Sequence, residues 1–325
     1  AYRECYPPRC GSGMVSATGV SPGVFETPIP DTPERLLRRL EWTVVRPLDG
    51  RLQGDYRTLF RGVGMDLHDL REYEPGDDPR HIDWNVTART DVPFVRVFAE
   101  DREVTAWLLL DRSASMGFGP RGRTKHDVLA ELATTLAHVL VRGGNRVGAV
   151  LSTAGVERTI PPRQGRVQVL RIAREGLGVL GPAGAAAREP TDLARLLGPA
   201  AGLAVQRSVV VVISDFVSRP GWERPLALLA RRHDVVAIHL ADRREHDIPD
   251  AGVIALEDPE TGDHVLVDTG DPAFRARLRE LTADRDARLR ASVGEAGIPL
   301  HTVWTDDDLV SALVKIAQQR ARWRR

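Results

Sequence analysis

A short run of oxygen-bearing side chains follows one of the most apolar segments of the chain. Asp111, Ser113 and Ser115 alternate directly after residues 104–110, whose near-continuous apolar character predicts a strand buried on both faces. A tight loop can direct this carboxylate and these two hydroxyl groups at a common centre. Hard oxygen donors of this kind suit Mg²⁺ or Mn²⁺ better than Zn²⁺, which prefers nitrogen and sulfur ligands.

Two further oxygen donors come where the same edge of a parallel sheet would hold them. Residues 209–213 form another apolar run that ends in Ser214 and Asp215, and Thr191 stands at the start of a predicted helix. Ligand sites of open α/β sheets collect at the carboxyl ends of strands, so we predict one divalent-metal site at this edge. Its candidate ligands are Asp111, Ser113, Ser115, Thr191 and Asp215.

The elements that must position these residues alternate between strand and helix from residue 104 onward. Strands are predicted at residues 104–110, 146–152, 208–214, 235–240 and 301–304, and helices at residues 125–142, 167–179, 191–197, 222–232, 272–296 and 307–320. This alternation predicts an α/β fold with a doubly wound, mostly parallel sheet. Residues 157–160 add a short antiparallel strand, and residues 253–256 with 264–267 a hairpin.

The chain divides into three parts by character. Residues 1–30 are rich in Gly, Pro and Ser and predict a disordered tail, and residues 1–13 are expected to come from a misplaced start or a non-native addition. Residues 31–102 predict an extension with one helix, capped by Thr32 and spanning residues 33–45, and several short β-like runs. Residues 103–325 form the predicted α/β domain.

Composition and charge exclude several classes of protein. The 45 basic residues balance 45 acidic ones, which argues against a general nucleic-acid partner. No run reaches the roughly 18 to 20 apolar residues that cross a bilayer. The two cysteines both lie in the first ten residues, which suits neither a disulfide framework nor a zinc site. We expect a cytoplasmic protein without a membrane span.

Two other patterns carry little chemistry. Residues 176–181 match Gly-x-Gly-x-x-Gly, but they end a predicted helix, so dinucleotide binding is not expected. Lys125 and His126 stand at the start of an amphipathic helix, where side chains of these types are expected to be solvated.

The candidate ligands resemble the metal-ion-dependent adhesion site of von Willebrand factor type A domains. That pattern is Asp-x-Ser-x-Ser, then a Thr, then an Asp, and the five candidates supply its three parts in order. Two departures are Phe216, where many such domains have Gly, and Arg112, whose positive charge would oppose a divalent ion. A second interpretation stays open, in which Ser113 and Ser115 cap the following loop and Asp111 closes a turn.

Residues 73–84 carry a longer motif, Tyr-x-Pro-Gly-Asp-Asp-x-Arg-x-Ile-Asp-Trp. It resembles the hallmark of the bacterial and archaeal family called domain of unknown function 58, and the resemblance covers about residues 31–310. The residues of interest are Gly76, Asp77, Asp78, Arg80, Asp83 and Trp84. They form either a structural loop, with Arg80 locking its carboxylates and Trp84 anchored in a core, or a partner-binding edge.

The family resemblance implies a von Willebrand A-like domain with an N-terminal extension, often encoded beside MoxR-type AAA+ ATPases. We therefore favour a protein-interaction module over an enzyme, in which Mg²⁺ or Mn²⁺ bridges to an acidic residue of a partner. A MoxR-type ATPase is the expected partner, and chaperone-like assembly or remodelling the expected role. The alternatives are a Mg²⁺-dependent, phosphoesterase-like hydrolase that uses Asp111, and a scaffold with a vestigial site.

Overall fold

The computed structural model describes most of the chain, with gaps. The described residues are 3–5, 32–52, 69–74, 82, 84–90, 92–97, 104–120, 122–153, 156–178, 191–203, 206–258 and 263–323. Of the six residues singled out in the predicted hallmark loop, five lie outside them, namely Gly76, Asp77, Asp78, Arg80 and Asp83. Most of the predicted N-terminal tail also lies outside them.

A mostly parallel sheet forms the centre of the described part. In spatial order its strands are β11 (Leu300–Trp304), β8 (Asp234–Ala241), β7 (Val209–Ser214), β4 (Thr105–Asp111), β5 (Arg146–Thr153) and β6 (Val156–Arg163). Neighbouring strands pair in parallel except β6, which runs antiparallel to β5. The predicted doubly wound α/β fold is confirmed.

Helices cover both faces of this sheet. Their bounds are α1 (Pro33–Leu40), α2 (Arg46–Leu52), α3 (Trp84–Thr90), α4 (Lys125–Arg142), α5 (Arg166–Gly176), α6 (Leu193–Leu203), α7 (Glu223–Arg232), α8 (Arg243–His246), α9 (Pro272–Glu295) and α10 (Leu309–Trp323). Helices α1, α4, α5 and α10 pack on one face, and α6, α7 and α9 on the other. Among the described residues, no helix combines the length and the apolar character that crossing a membrane requires.

Strand β4 shows why the first apolar run of the domain is unbroken. Leu108 and Leu110 are fully buried in the cluster that contains α4, and Trp107 and Leu109 are buried in the opposite cluster. Successive side chains of a strand point to opposite faces, so a central strand that is covered on both sides needs apolar residues throughout.

The N-terminal helix belongs to the same core as the sheet, although the sequence analysis grouped it with the extension. Leu36, Leu37 and Leu40 are at most 2% exposed and share the apolar cluster of α4. Thr32 caps the helix as predicted. The helix does not end at residue 45, because a π-helical turn, Glu41–Val45, continues it into α2.

Short strands pair outside the main sheet. The strands β9 (Val253–Glu257) and β10 (His264–Asp268) form the predicted hairpin. Strand β1 (Arg3–Cys5) pairs with β9, within the stretch that the sequence predicts to be disordered. Strands β2 (Asp69–Glu72) and β3 (Phe94–Val97) pair with each other.

The prediction that Trp84 is anchored in a core is wrong. Its side chain is 69% exposed and it is the first residue of α3, a helix of seven residues.

The start of α4 is fixed by a reciprocal pair of hydrogen bonds. The Thr124 hydroxyl accepts from the Asp127 backbone N–H at 3.2 Å, and the Asp127 carboxylate accepts from the Thr124 N–H at 2.7 Å. This capping box satisfies two backbone donors that the helix itself leaves unpaired. It thereby sets where Lys125, the first residue of α4, enters the protein.

Replacing Thr124 by Ala removes one half of this capping box, and we expect the free energy of unfolding to fall by about 1 kcal/mol. Thr124→Ser keeps the hydroxyl and should stay within about 0.5 kcal/mol of wild type. Urea unfolding followed by circular dichroism measures both. Equal stability of the Ala and Ser variants would contradict the capping role.

Candidate functional site

The strand order reverses between β4 and β7. The chain passes from β4 to β5 on one side, and β7, β8 and β11 then extend the sheet on the other side. In open α/β sheets, ligands bind in the crevice at the carboxyl ends of the strands flanking such a reversal. Asp111 is the last residue of β4, and Asp215 directly follows β7. The structure therefore places both predicted carboxylates at the predicted edge.

Asp111 is almost completely buried, with 1% of its surface exposed. One carboxylate oxygen accepts from the Ser113 backbone N–H at 3.0 Å, and the other accepts from the Ser214 hydroxyl at 2.6 Å. Burial and the nearby negative charge of Asp215 raise the pKa of Asp111 to about 6.

The two serines of the motif lie in contact beside this carboxylate. The hydroxyl oxygens of Ser113 and Ser115 are 2.9 Å apart, and both residues are buried. Ser113 precedes the 3₁₀ turn Ala114–Gly117 but makes no side-chain capping hydrogen bond to it, whereas the hydrogen bond from the Ser113 N–H to Asp111 does close a turn, as the second interpretation predicts. Met116 of the same turn is fully buried in the core and anchors it there.

Asp215 has a different electrostatic environment from Asp111. Its Oδ2 accepts from the Lys125 ammonium at 2.7 Å, and its Oδ1 accepts from the Val217 backbone N–H at 3.0 Å. Burial by itself raises the pKa of this carboxyl, but the Lys125 charge and the hydrogen bonds outweigh it and hold the pKa of Asp215 below its ordinary value. Asp215 is therefore an anion in the folded protein at neutral pH.

The prediction that Lys125 is solvated is wrong. The side chain is 0% exposed, and its ammonium group also donates to Glu245 at 2.8 Å. The available signal was its spacing, because Lys125 stands three and seven residues before Val128 and Leu132 on the buried face of α4. Glu245 follows it by 120 residues, and no local pattern indicates that partner.

Thr191 is held against the loop that carries Asp215. Its backbone carbonyl accepts from the Arg219 N–H at 3.0 Å and from the Ser218 hydroxyl at 3.1 Å. Ser218 also accepts from the Leu193 N–H at 2.9 Å, at the start of α6. The second part of the predicted motif is thus tied to the third by backbone contacts.

Phe216, which stands where the resemblance leads one to expect glycine, has a backbone conformation that favours glycine. Its φ is +54°, in the left-handed region that side chains other than glycine rarely adopt. Its ring is 8% exposed and lies 5.5 Å from the Trp222 ring and 6.3 Å from the His239 ring. Aromatic packing therefore holds a backbone conformation that has an intrinsic cost.

Arg112 is the second departure from the adhesion-site pattern, and its side chain lies beside the C-terminal end of α5. Its Nη2 is so close to Gly178 that a Cβ built on that glycine would lie only 3.0 Å away. The charged neighbours of Arg112 are Glu175 and Arg158. Burial lowers the pKa of its guanidinium, and the attraction of Glu175 opposes that shift.

Comparison with known proteins now gives the family. A family described as a protein of unknown function, DUF58, matches residues 69–288. This chain belongs to the DUF58 family. It is also 36% identical over 286 residues to the uncharacterized protein Rv1480 of Mycobacterium tuberculosis, across 88% of this chain and 89% of that protein.

Solved structures with a likeness to this DUF58 protein are distant in sequence. A conserved hypothetical protein BatB from Bacteroides thetaiotaomicron is 15% identical, with a TM-score of 0.42 over 68% of this chain and 98% of BatB. The vWF domain of the pili tip protein Mfa5 from Porphyromonas gingivalis is 10% identical, with a TM-score of 0.34 over 68% of this chain and 95% of that domain. The fold assignment rests on the sheet topology described above.

The donor set of this DUF58 protein fits a divalent cation. Two carboxylates and two hydroxyl groups supply only oxygen, which Mg²⁺ and Mn²⁺ prefer. When all are ionised, Asp111, Asp215 and Glu245 carry three negative charges against the single positive charge of Lys125. Among the described residues, no three His, Cys, Asp or Glu side chains are placed to share a metal.

The raised pKa of Asp111 predicts a pH-dependent loss of stability. The folded chain holds this proton more tightly than the unfolded chain, so stability falls as the pH rises from about 4 to about 6. Each pKa unit corresponds to about 1.4 kcal/mol, so Asp111→Asn should gain about 3 kcal/mol on wild type between pH 4 and pH 7 in EDTA. Urea unfolding across this range measures the difference.

Asp308→Asn is the control for this pH series. Burial raises the pKa of Asp308, but hydrogen bonds from Ser311 and Val310 together outweigh it and hold that pKa below its ordinary value. Its contribution to stability is therefore lost as the pH falls, the opposite direction to that of Asp111. Parallel pH profiles for wild type and Asp111→Asn would show that Asp111 titrates normally.

The positive φ of Phe216 predicts an inverted order of two substitutions. Both Phe216→Ala and Phe216→Gly lose the buried ring, which costs about 3–5 kcal/mol. Only alanine keeps the left-handed backbone cost, so the glycine variant should be more stable than the alanine variant by about 1 kcal/mol. At Phe118, where φ is −73°, the usual order should hold, with alanine the more stable. Chemical denaturation of the four variants checks this, and the same order at both positions would contradict it.

Proposed function

We propose that this DUF58 protein is a metal-dependent protein-interaction module. The observation that supports it is the meeting of Asp111 and Asp215 at the carboxyl ends of adjacent strands, with the hydroxyl groups of Ser113 and Ser115 beside them. Like charges buried together are unfavourable unless a cation compensates them. Lys125 compensates Asp215, whereas no cationic side chain among the described residues is seen to pair with Asp111.

In the proposed site, some residues would bind the metal ion and others orient the carboxylates. Asp111, Ser113, Ser115 and Asp215 would hold Mg²⁺ or Mn²⁺, with Thr191 tied to the same loop. The ion would supply a Lewis-acidic position that a carboxylate of a partner protein can occupy. The Ser214 hydroxyl orients Asp111 through its 2.6 Å hydrogen bond, and the Val217 N–H orients Asp215.

We further propose that the partner is a MoxR-type AAA+ ATPase, which would present an acidic side chain to this edge of the sheet. The protein would then act as an adaptor in chaperone-like assembly or remodelling. This partner rests on the family resemblance of the sequence. The site contributes the requirement for a carboxylate, because a divalent ion on two carboxylates and neutral hydroxyls keeps affinity for a further anionic oxygen.

The hydrolase alternative has less support from the same geometry. Both oxygens of Asp111 accept hydrogen bonds from Ser113 and Ser214, which fixes the carboxylate as an acceptor. The next position of the motif that could act as a general acid or base is Ser113. A serine hydroxyl paired with another hydroxyl does not transfer protons readily at neutral pH.

Thermal unfolding in EDTA and in millimolar Mg²⁺ or Mn²⁺ tests the metal site. An ion present at about 100 times its dissociation constant stabilises the folded protein by about 2.7 kcal/mol, a shift of several degrees at this size. We expect this shift for wild type and its absence for Asp111→Asn. No shift in wild type would overturn the metal dependence.

The same variants test the interaction. A purified MoxR-type ATPase from the same organism should bind immobilised wild type in Mg²⁺, and should bind neither wild type in EDTA nor Asp111→Asn in Mg²⁺. Binding that is equal in all three conditions would leave the ATPase as a partner but remove the metal bridge. No binding in any condition would remove this partner.

A further inference from the structure

Lys125 is a buried cation held from two sides. Its ammonium group lies 2.7 Å from Asp215 Oδ2 and 2.8 Å from Glu245 Oε1, and the side chain is fully buried. Taking an ammonium group out of water is strongly unfavourable unless carboxylates or other acceptors replace the lost hydration. Two carboxylates meet this requirement, and they come from different elements, the loop after β7 and helix α8.

Hydrogen bonds at both ends of helix α8 position Glu245 beside Lys125. The Asp242 carboxylate caps α8 by accepting from the Arg244 N–H at 2.8 Å, and its other oxygen accepts from the Thr305 hydroxyl. At the end of the helix, His246 contacts Asp286 at 3.0 Å. Helix α8 therefore contacts the residue after β11 and α9, and these contacts place Glu245 beside the ammonium group of Lys125.

The position of Lys125 puts it in competition with any divalent ion. It binds Asp215, the same carboxylate that the proposed function gives to Mg²⁺ or Mn²⁺. A second cation on that carboxylate would be repelled by an ammonium group 2.7 Å from Oδ2, in surroundings with little water to screen the charges. In the metal-free protein, the ammonium group also compensates the buried negative charge of Asp215.

We propose that Lys125 is a resident counterion that keeps the metal-free site folded and lowers its affinity for divalent ions. This inference rests on the proposed function, since it concerns the same site. It implies that the protein exchanges its divalent ion readily and stays folded without one. It also implies that removing the ammonium group makes folding depend on the metal.

Lys125→Met tests both consequences, because methionine keeps an unbranched apolar stem and removes the charge. We expect its melting temperature to fall in EDTA and to recover in millimolar Mn²⁺ by more than wild type gains. Mn²⁺ affinity, measured by electron paramagnetic resonance of the free ion, should increase roughly tenfold or more, the effect of removing one like charge at this range. Lys125→Arg keeps a positive charge and should bind Mn²⁺ no more tightly than wild type.

Two further variants keep the test decisive. Arg39→Met is the matched control, because it also removes a cation from a buried carboxylate on α4, that of Glu131. It should lose stability equally in EDTA and Mn²⁺, with unchanged Mn²⁺ affinity. The double variant Lys125→Met/Glu245→Gln removes the ammonium group with one of its carboxylates, so it loses less stability than Lys125→Met. We still expect it to bind Mn²⁺ more tightly than wild type.

The outcomes separate this inference from the proposed function. If wild type binds Mn²⁺ and neither Lys125→Met nor the double variant binds it more tightly, Lys125 is only a structural ion-pair partner and the inference is wrong. If wild type and all Lys125 variants fail to bind Mn²⁺, the proposed metal site is wrong and the inference fails with it. Equal rescue of Arg39→Met by Mn²⁺ would also overturn the inference.

Discussion

Repulsion between Asp111 and Asp215 is the constraint around which this end of the protein is arranged. The two residues come close because the strands that precede them are neighbours in the sheet, and the apolar core beneath keeps both strands buried. Both residues directly continue or follow strands whose pairing ends just before them, so this pairing sets the distance between their backbones. The surrounding groups instead reduce the repulsion, through hydroxyl and backbone donors at one carboxylate and an ammonium group at the other.

These donors give the two carboxylates unequal properties. Asp111 receives hydrogen bonds only from neutral groups in the contacts described above. Burial and the charge of Asp215 outweigh these bonds and raise its pKa to about 6. Asp215 contacts Lys125, and its pKa is lowered. Pairs of buried acids whose pKa values are separated by their environments are typical of functional sites. Here Asp215, which stays ionised, already has a counterion in Lys125. Asp111 is the carboxyl whose pKa lies closer to neutral pH, and a cationic ligand would stabilise its charged form.

Sequence reasoning predicted the parts of the site that follow from local order. An apolar run followed by Asp111 indicates the end of a buried strand, and the alternation of strands and helices indicates which edge these ends share. The contact between Lys125 and Glu245 could not be predicted from the sequence, because only the packing of α8 brings Glu245 within 2.8 Å of the ammonium group. Trp84 was misplaced for a related reason. An aromatic residue within a specific motif indicates a constraint on the position, and says nothing of which side of a short helix faces solvent.

Helix α1 lies against α4, the helix that begins with Lys125. Three of its leucines fill the apolar cluster beside α4, and Arg39 faces Glu131 in the middle of that helix. The apolar core around the sheet is consequently discontinuous along the sequence, since it joins residues 36–48 to a sheet whose first strand starts at Thr105. A fragment cut at the apparent boundary of the α/β domain would carry an uncovered apolar stripe and would leave Glu131 with Arg123 but without Arg39, and it would tend to associate with other copies.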